Sequence, residues 1–358
     1  MNLLVERIRE EIAGRGPISF ARFMEHALYE PGLGYYEKAV VGRQGDYFTS
    51  VSVGGLLGEL LGFQFGQWSG GDALHLVEAG AHDGRLMADI LESLRCHWPE
   101  LLPRLSCRIV EPSLARRAQQ AQTLERFQDK IAWVGAVEEI APGSVRGVIY
   151  SNELLDAMPV HRLGWDEKQQ AWFEWGVAWE ADRFVWQRMA EPEIKAARNQ
   201  TLQIPQAMRA VLPEGFVTIA SPRAAEWWHH AALRLAKGCL MTFDYGFAAE
   251  EFYSPQRVDG TLRAYHRHRQ EQDLLARVGL QDLTAAVNFT VLQAMGELAG
   301  LTTRAAQSQE QFLTGIFART LELPGRFPEW TAERRRQFQT LTHPEHLGRS
   351  HRVLVQGR

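Results

Sequence analysis

Leu4, Ile8 and Ile12 recur at helical spacing and the pattern breaks at Gly14-Arg15-Gly16-Pro17, which predicts a first amphipathic helix. Ser19 is placed to cap a second helix that runs to about Leu28 and stops near Pro31-Gly32. Residues 32–55, GLGYYEKAVVGRQGDYFTSVSVGG, are too irregular for one element and read as a functional loop. Leu56 to Trp68 reads as an apolar helix. From Ala73 the pattern changes to short apolar runs separated by helical stretches: Leu74–Glu78, Ser106–Glu111, Ile131–Val134, Gly147–Tyr150 and Cys239–Phe243. Short apolar strands alternating with helices predict an α/β fold, a parallel sheet covered on both faces.

One stretch interrupts this alternation. After Pro159 the residues VHRLGWDEKQQAWFEWGVAWEADRFVWQR alternate apolar and polar, with turn signals at Gly164–Lys168 and near Glu180–Asp182. They predict an antiparallel meander inserted before the next parallel strand, with helices following near Pro205–Leu212 and Ala224–Ala236. Several of the eleven tryptophans cluster here and at Trp227-Trp228, as expected of a tightly packed or substrate-facing subdomain. The segment HRVLVQGR predicts a final strand.

Composition narrows the function classes. With 45% hydrophobic and 23% charged residues over 358 positions, the chain can bury a sizeable core. A net charge of −4 offers no global attraction for nucleic acid, and none is expected as a partner. No apolar run reaches membrane-spanning length, so no membrane insertion is expected. Cys96, Cys107 and Cys239 are odd in number and widely spaced, which fits a reducing compartment. Glu6, Glu10 and Glu11 argue against a secretory or mitochondrial leader, and a bacterial cytoplasm is the expected address. His266 and His268, two apart in the basic run RAYHRHRQ, are poorly spaced for a metal, and no metal is proposed.

Candidate chemistry starts at LVEAGAHDGRL, residues 76–86. A strand ends in Glu78, and Gly80 and Gly84 follow. Glycines allow positive φ and close backbone approach, and the helix behind them offers free N–H groups. His82 breaks the G-x-G-x-x-G fingerprint of nicotinamide and flavin enzymes. Alone, the segment is either a cofactor loop or a plain strand–helix turn. Glu111 closes the second strand, where a doubly wound fold places the acid that accepts both ribose hydroxyl protons; the alternative is an exposed acid at a strand end.

These residues, EAGAHDG followed by VEPS, are similar to the acid, glycine loop and second-strand acid of class I S-adenosylmethionine methyltransferases. The chain more specifically resembles the MidA family, the complex I assembly factor 7 group of protein arginine methyltransferases. The resemblance is carried by GPISFARFMEHALYEPGLGYY (16–36), GDYFTS (45–50), LLGELLG (56–62), SNELLDAMPVHRL (151–163), FDYG (243–246), GTLRAYHRHR (260–269) and DLTAAVNF (282–289), and it covers most of the chain. It implies a Rossmann-like class I methyltransferase core with an N-terminal helical extension and an antiparallel β plus helical insertion before the fifth strand. The divisions expected are N-terminal helices and active-site loop (1–72), a Rossmann-like cofactor-binding half (73–160), an inserted substrate-side subdomain (161–237) and the remainder of the core (238–358).

By position, the resemblance implies that Glu78, Gly80, Gly84 and Glu111 hold S-adenosylmethionine, with Asp46, Thr49 and Ser50 as polar contacts from the covering loop. It places Asn152, Glu153 and Asp156 beside the transferable methyl, with Asp244 and Tyr245 on the substrate side. A guanidinium acceptor needs carboxylates to clamp its fork of donors. Glu153 and Asp156, three apart, would face one way on a helical turn; Asn152 and Asp156 are equally the residue types that cap and end a turn. The implied partner is a protein substrate, for the family a respiratory complex I subunit, and a homodimer is left open. Three positions depart from the family pattern: His82 for a glycine, Val51-Ser52 for proline and glutamate, and Ala286 for a histidine. They keep two other readings open, a catalytically silent assembly or binding factor and a small-molecule methyltransferase.

Overall fold

The computed structural model describes residues 3–38, 50–70, 74–194, 204, 211–267, 269–345 and 347–358. The chain forms two compact units from interleaved segments: Met1–Phe48, Leu155–Ala225 and Gly246–Val291 make the first, and Thr49–Leu154, Glu226–Tyr245 and Leu292–Arg358 the second.

The second unit carries the central sheet. Its strands lie side by side in the order Ile131–Val134, Leu105–Val110, Leu74–Ala79, Val145–Asn152, Leu235–Phe247, His351–Gly357, Thr302–Ser308. Numbered along the chain among these seven, the order is third, second, first, fourth, fifth, seventh, sixth; the short strand Val287–Asn288 also pairs, in parallel, with Gly246–Phe247. The first five pair in parallel, and His351–Gly357 runs antiparallel to both its neighbours. This is the predicted α/β core. The order reverses between Leu74–Ala79 and Val145–Asn152, and an open parallel sheet binds ligands outside the carboxyl ends of its strands at such a switch point.

Two helices set the loop after the first strand. Leu56–Ser69 packs on Arg85–His97 through Gly58, Gly62 and Gly66, spaced four apart on one face. A Cβ at Gly58 would lie 2.3 Å from Asp89 Cβ, one at Gly62 2.7 Å from Ser93 Cβ, and one at Gly66 2.5 Å from the Trp98 ring. The helices therefore meet at backbone distance, and the apolar remainder of Leu56–Ser69 joins a core with Leu74, Leu76, Met87, Ile90 and Tyr150.

The first unit holds the N-terminal helices and the meander. Ser19 caps Phe20–Tyr29 by accepting from Arg22 N at 3.2 Å, as its position predicts. Buried His26 joins this helix to Leu3–Arg15: its Nε2 lies 2.8 Å from Glu11 Oε2 and its Nδ1 2.7 Å from Glu30 Oε2. The meander strands are His161–Asp166, Ala171–Glu180 and Arg183–Arg188, joined by Ile18–Ser19 and Val217–Ala220. Its tryptophans pack: Trp165 and Trp172 lie 4.9 Å apart, and the Arg162 guanidinium sits 4.1 Å above the Trp186 ring. The basic run becomes a strand pair, Leu262–His266 with Arg269–Glu271. Most of the helix expected near Pro205–Leu212 lies outside the described residues. The helix expected to reach Ala236 spans Pro222–Arg234, because the Leu235–Phe247 strand begins at the next residue.

Candidate functional site

The site follows from what the chain does at the strand ends. Three of the five parallel strands hand their next residue to a neighbour: Gly80 N–H donates to Val110 O at 3.4 Å, Glu111 N–H to Val134 O at 2.9 Å, and Glu153 N–H to Phe243 O at 2.8 Å. The first, second and fourth strands thus present Gly80, Glu111 and Glu153 along one edge of the sheet.

The loop after the first strand has Gly80 at φ 71°, His82 at φ 48° and Gly84 at φ 85°. All three are left-handed. His82 departs from glycine in identity and adopts a conformation that glycine takes freely. Left-handed backbone costs a non-glycine residue roughly 1 kcal/mol. His82→Gly is therefore expected to stabilise the fold by about 0.5–1 kcal/mol, read by thermal unfolding. Gly84 N–H closes the turn on Ala81 O at 2.7 Å, and Asp83 Oδ1 accepts from Arg85 N at 3.2 Å where the helix starts.

Glu111 is buried, and its carboxylate is oriented from two sides. Oε1 accepts from Ser113 N at 2.9 Å, and Oε2 from Gln120 Nε2 at 3.2 Å. Burial raises its pKa, against the lowering effect of the Ser113 bond, nearby Arg116 and the Gln120 bond.

Glu78 is differently placed. Its carboxyl lies in the interior beneath the loop, where Oε2 accepts the Tyr150 hydroxyl at 3.1 Å. Burial pushes its pKa up to about 8, partly offset by the Tyr150 bond. It shares a face of its strand with Leu74 and Leu76, and that period-two alternation is a sequence signal for the core. A carboxyl that keeps its proton in the fold and loses it in the unfolded chain makes stability fall as pH rises, here from pH 4.5 toward about 8. Glu78→Gln is expected to remove this slope and to be more stable than the parent by roughly 3 kcal/mol near neutral pH, seen by denaturant titration at about pH 5 and about pH 8.

At the end of the fourth strand Glu153 has φ 50° and its segment is a turn, not the helical turn considered for Glu153 and Asp156. Glu153 Oε1 accepts from Ser50 N at 2.8 Å and from Asn152 Nδ2 at 3.2 Å, and His351 Nε2 lies 3.9 Å away. Oε2 takes none of these bonds. The Asn152 Oδ1 is buried with no hydrogen-bond partner among the described residues. His351 is pushed below its ordinary pKa by burial, against the pull of Glu153, and so is neutral at pH 7.

The other predicted residues fall as follows. Ser50 is fully buried; besides meeting Glu153 its hydroxyl donates to Gln309 Oε1 at 3.3 Å. Asp46 and Thr49 lie outside the described residues. Asp244 is buried at the end of the fifth strand, with Oδ1 accepting from Tyr245 N at 2.9 Å, and the Tyr245 ring lies 6.5 Å from that of His351. Asp156 belongs to the first unit, where its carbonyl accepts from Ala285 N at 2.8 Å. His351 and Gln120 were not foreseen: the first opens a strand and the second sits inside a polar helix, positions with no sequence signal for a site.

Comparison with known proteins adds to this geometry. Residues 56–307 match a family described as "Putative S-adenosyl-L-methionine-dependent methyltransferase". A Burkholderia thailandensis protein bound to S-adenosylhomocysteine has the same fold, with a TM-score of 0.84 at 30% identity over 99% of this chain and 92% of its own. The mitochondrial protein arginine methyltransferase NDUFAF7 of Danio rerio is 27% identical over 96% of this chain and 84% of its length. Its Homo sapiens counterpart is 27% identical over 83% and 70%. Among the described residues no helix is long and apolar enough to cross a membrane. The match spans more than half of the chain, and the chain belongs to this family of S-adenosyl-L-methionine-dependent methyltransferases.

Proposed function

We propose that the chain transfers methyl from S-adenosylmethionine to an arginine side chain of a protein. The observation that carries the acceptor is the pair at the fourth strand end, the Glu153 carboxylate beside the unpartnered Asn152 Oδ1. A guanidinium brings several N–H donors in a rigid fork, and these are the acceptors such a fork needs. Relatives named as protein arginine methyltransferases support the same acceptor.

The residues present fit the cofactor. Gly80 is exposed and bare of a side chain, the loop keeps its left-handed path through His82, and Glu111 offers a fixed carboxylate to ribose hydroxyls. In this reading Gly80, Gly84 and Glu111 bind, Glu78 supports the loop from below, and Ser50 braces Glu153. Bound there, S-adenosylmethionine supplies an electrophilic methyl on a sulfonium. Glu153 orients the guanidinium, and its carboxylate takes the proton that leaves nitrogen on methylation. Asp244 and Tyr245 are proposed to shape the acceptor side. Asp156 stays a proposed contact on sequence grounds alone.

A respiratory complex I subunit is the protein substrate we would test first. The free thiols Cys96, Cys107 and Cys239 support a reducing compartment, and a bacterial cytoplasm remains our proposed address. The deciding experiment is two-part: calorimetric titration with S-adenosylhomocysteine, and mass spectrometry of methylated arginines in cells with and without the gene. Binding with a gene-dependent methylarginine supports the proposal. Binding without one turns the reading to a silent assembly factor, and methylation confined to a small molecule turns it to the third reading.

A further inference from the structure

The helix Leu114–Thr123 buries one residue completely, and that residue is polar: Gln120. Its amide makes three bonds. Nε2 donates to His82 O at 3.0 Å and to Glu111 Oε2 at 3.2 Å, while Oε1 accepts from Trp133 Nε1 at 2.9 Å. The orientation is fixed by chemistry. An indole N–H only donates, so Oε1 must face Trp133, and the NH2 then faces a carbonyl and a carboxylate, both acceptors.

These two acceptors belong to different loops. His82 is the left-handed residue of the glycine loop after the first strand, and Glu111 is the acid after the second. Both lie on the first-strand side of the switch point. One side chain therefore holds the loop that departs from glycine and aims the carboxylate across from it. The helix backbone is close as well, since a Cβ at Gly84 would lie 3.5 Å from Gln120 Cα.

We propose that Gln120 is a positioning residue for the nucleoside half of the cofactor, setting the Glu111 carboxylate for the ribose hydroxyls and bracing the His82 backbone. This rests on the reading of Glu111 as the ribose acid. A buried glutamine that merely satisfied Trp133 would affect folding and leave ribose recognition alone. Gln120 instead determines how strongly the ribose hydroxyls count.

The test compares S-adenosylhomocysteine with its 2′-deoxy analogue by calorimetry on the parent protein, Gln120→Met and Gln120→Glu. Gln120→Met keeps the length and helix propensity and removes every bond. Gln120→Glu keeps the acceptor for Trp133 and replaces the donor to Glu111 by an oxygen. The parent is expected to prefer the ribose ligand, and each variant to lose about tenfold for it while binding the deoxy analogue nearly as before. A parent-like ribose preference in either folded variant, or equal weakening of both ligands, overturns the proposal. Failure of the parent to bind S-adenosylhomocysteine at all overturns the cofactor reading beneath it, and the two failures are told apart by the parent alone.

Discussion

Glu153→Gln is expected to cut methyl transfer by about a thousandfold while S-adenosylhomocysteine affinity stays within about twofold. The substitution keeps the size of the side chain and an oxygen for Ser50 N–H and the Asn152 amide, the two bonds that hold Oε1. It removes the negative charge that would clamp a guanidinium and the basicity that would accept its proton. Glu153 lies at the fourth strand, away from the Gly80–Gly84 loop and Glu111 in sequence, so the separation of rate from cofactor affinity is the informative outcome. Methylarginine would be measured by mass spectrometry in cells carrying each variant, and affinity by calorimetry. Methylation at the parental level would remove Glu153 from the chemistry. Equal loss of rate and cofactor affinity would make it a structural post instead.

The second large effect is expected far from any reacting group. Gly58→Leu should destabilise the protein by about 3 kcal/mol and lower its Tm by several degrees. The first added carbon would lie 2.3 Å from Asp89 Cβ, with Ile90 N at 3.1 Å, so the helices must separate. Leucine's better helix propensity returns about 1 kcal/mol of what overpacking costs and does not change the sign. The displaced helix, Arg85–His97, has Gly84 as its N-cap, so the shift reaches the cofactor loop. Affinity for S-adenosylhomocysteine should fall about tenfold in the variant that still folds, since displacements near 1 Å carry such losses. Full affinity in a destabilised variant would show that the loop is positioned independently of the helix pair.

What could be read from the chain tracks the strength of its periodic patterns. The five parallel strands are short apolar runs between turn signals, and they stand out because both faces of that sheet are covered. Thr302–Ser308 is an edge strand of sequence TTRAAQS, with no apolar alternation to mark it. The helix Ala332–Thr342 has a single buried apolar residue, Leu341, and no amphipathic stripe. At the candidate site, the left-handed conformations of Gly80 and Gly84 and the strand-end placing of Glu111 were legible, because backbone freedom and strand-end position leave a mark in sequence. The bonds of Ser50 to Glu153 and of Glu78 to Tyr150 link residues far apart in the chain and left no mark in their motifs. Gln120 and His351 act through three-dimensional neighbours separated from them by 38 and 198 positions, His82 and Glu153, and no local pattern encodes such a pairing.

The seventh strand of the central sheet has a consequence for how the protein is made. His351–Gly357 lies between Leu235–Phe247 and Thr302–Ser308, pairing with both. A ribosome delivers Leu235–Phe247 more than a hundred residues before the partner that covers its open side, a delay of several seconds at usual elongation rates. During that interval the apolar run Cys239–Phe243 presents an unpaired edge to any strand it meets. The nascent chain therefore depends on slow, late closure, and chaperone binding during synthesis should concentrate there. His351 arrives with the same strand, so Glu153 gains its imidazole neighbour only when the sheet closes.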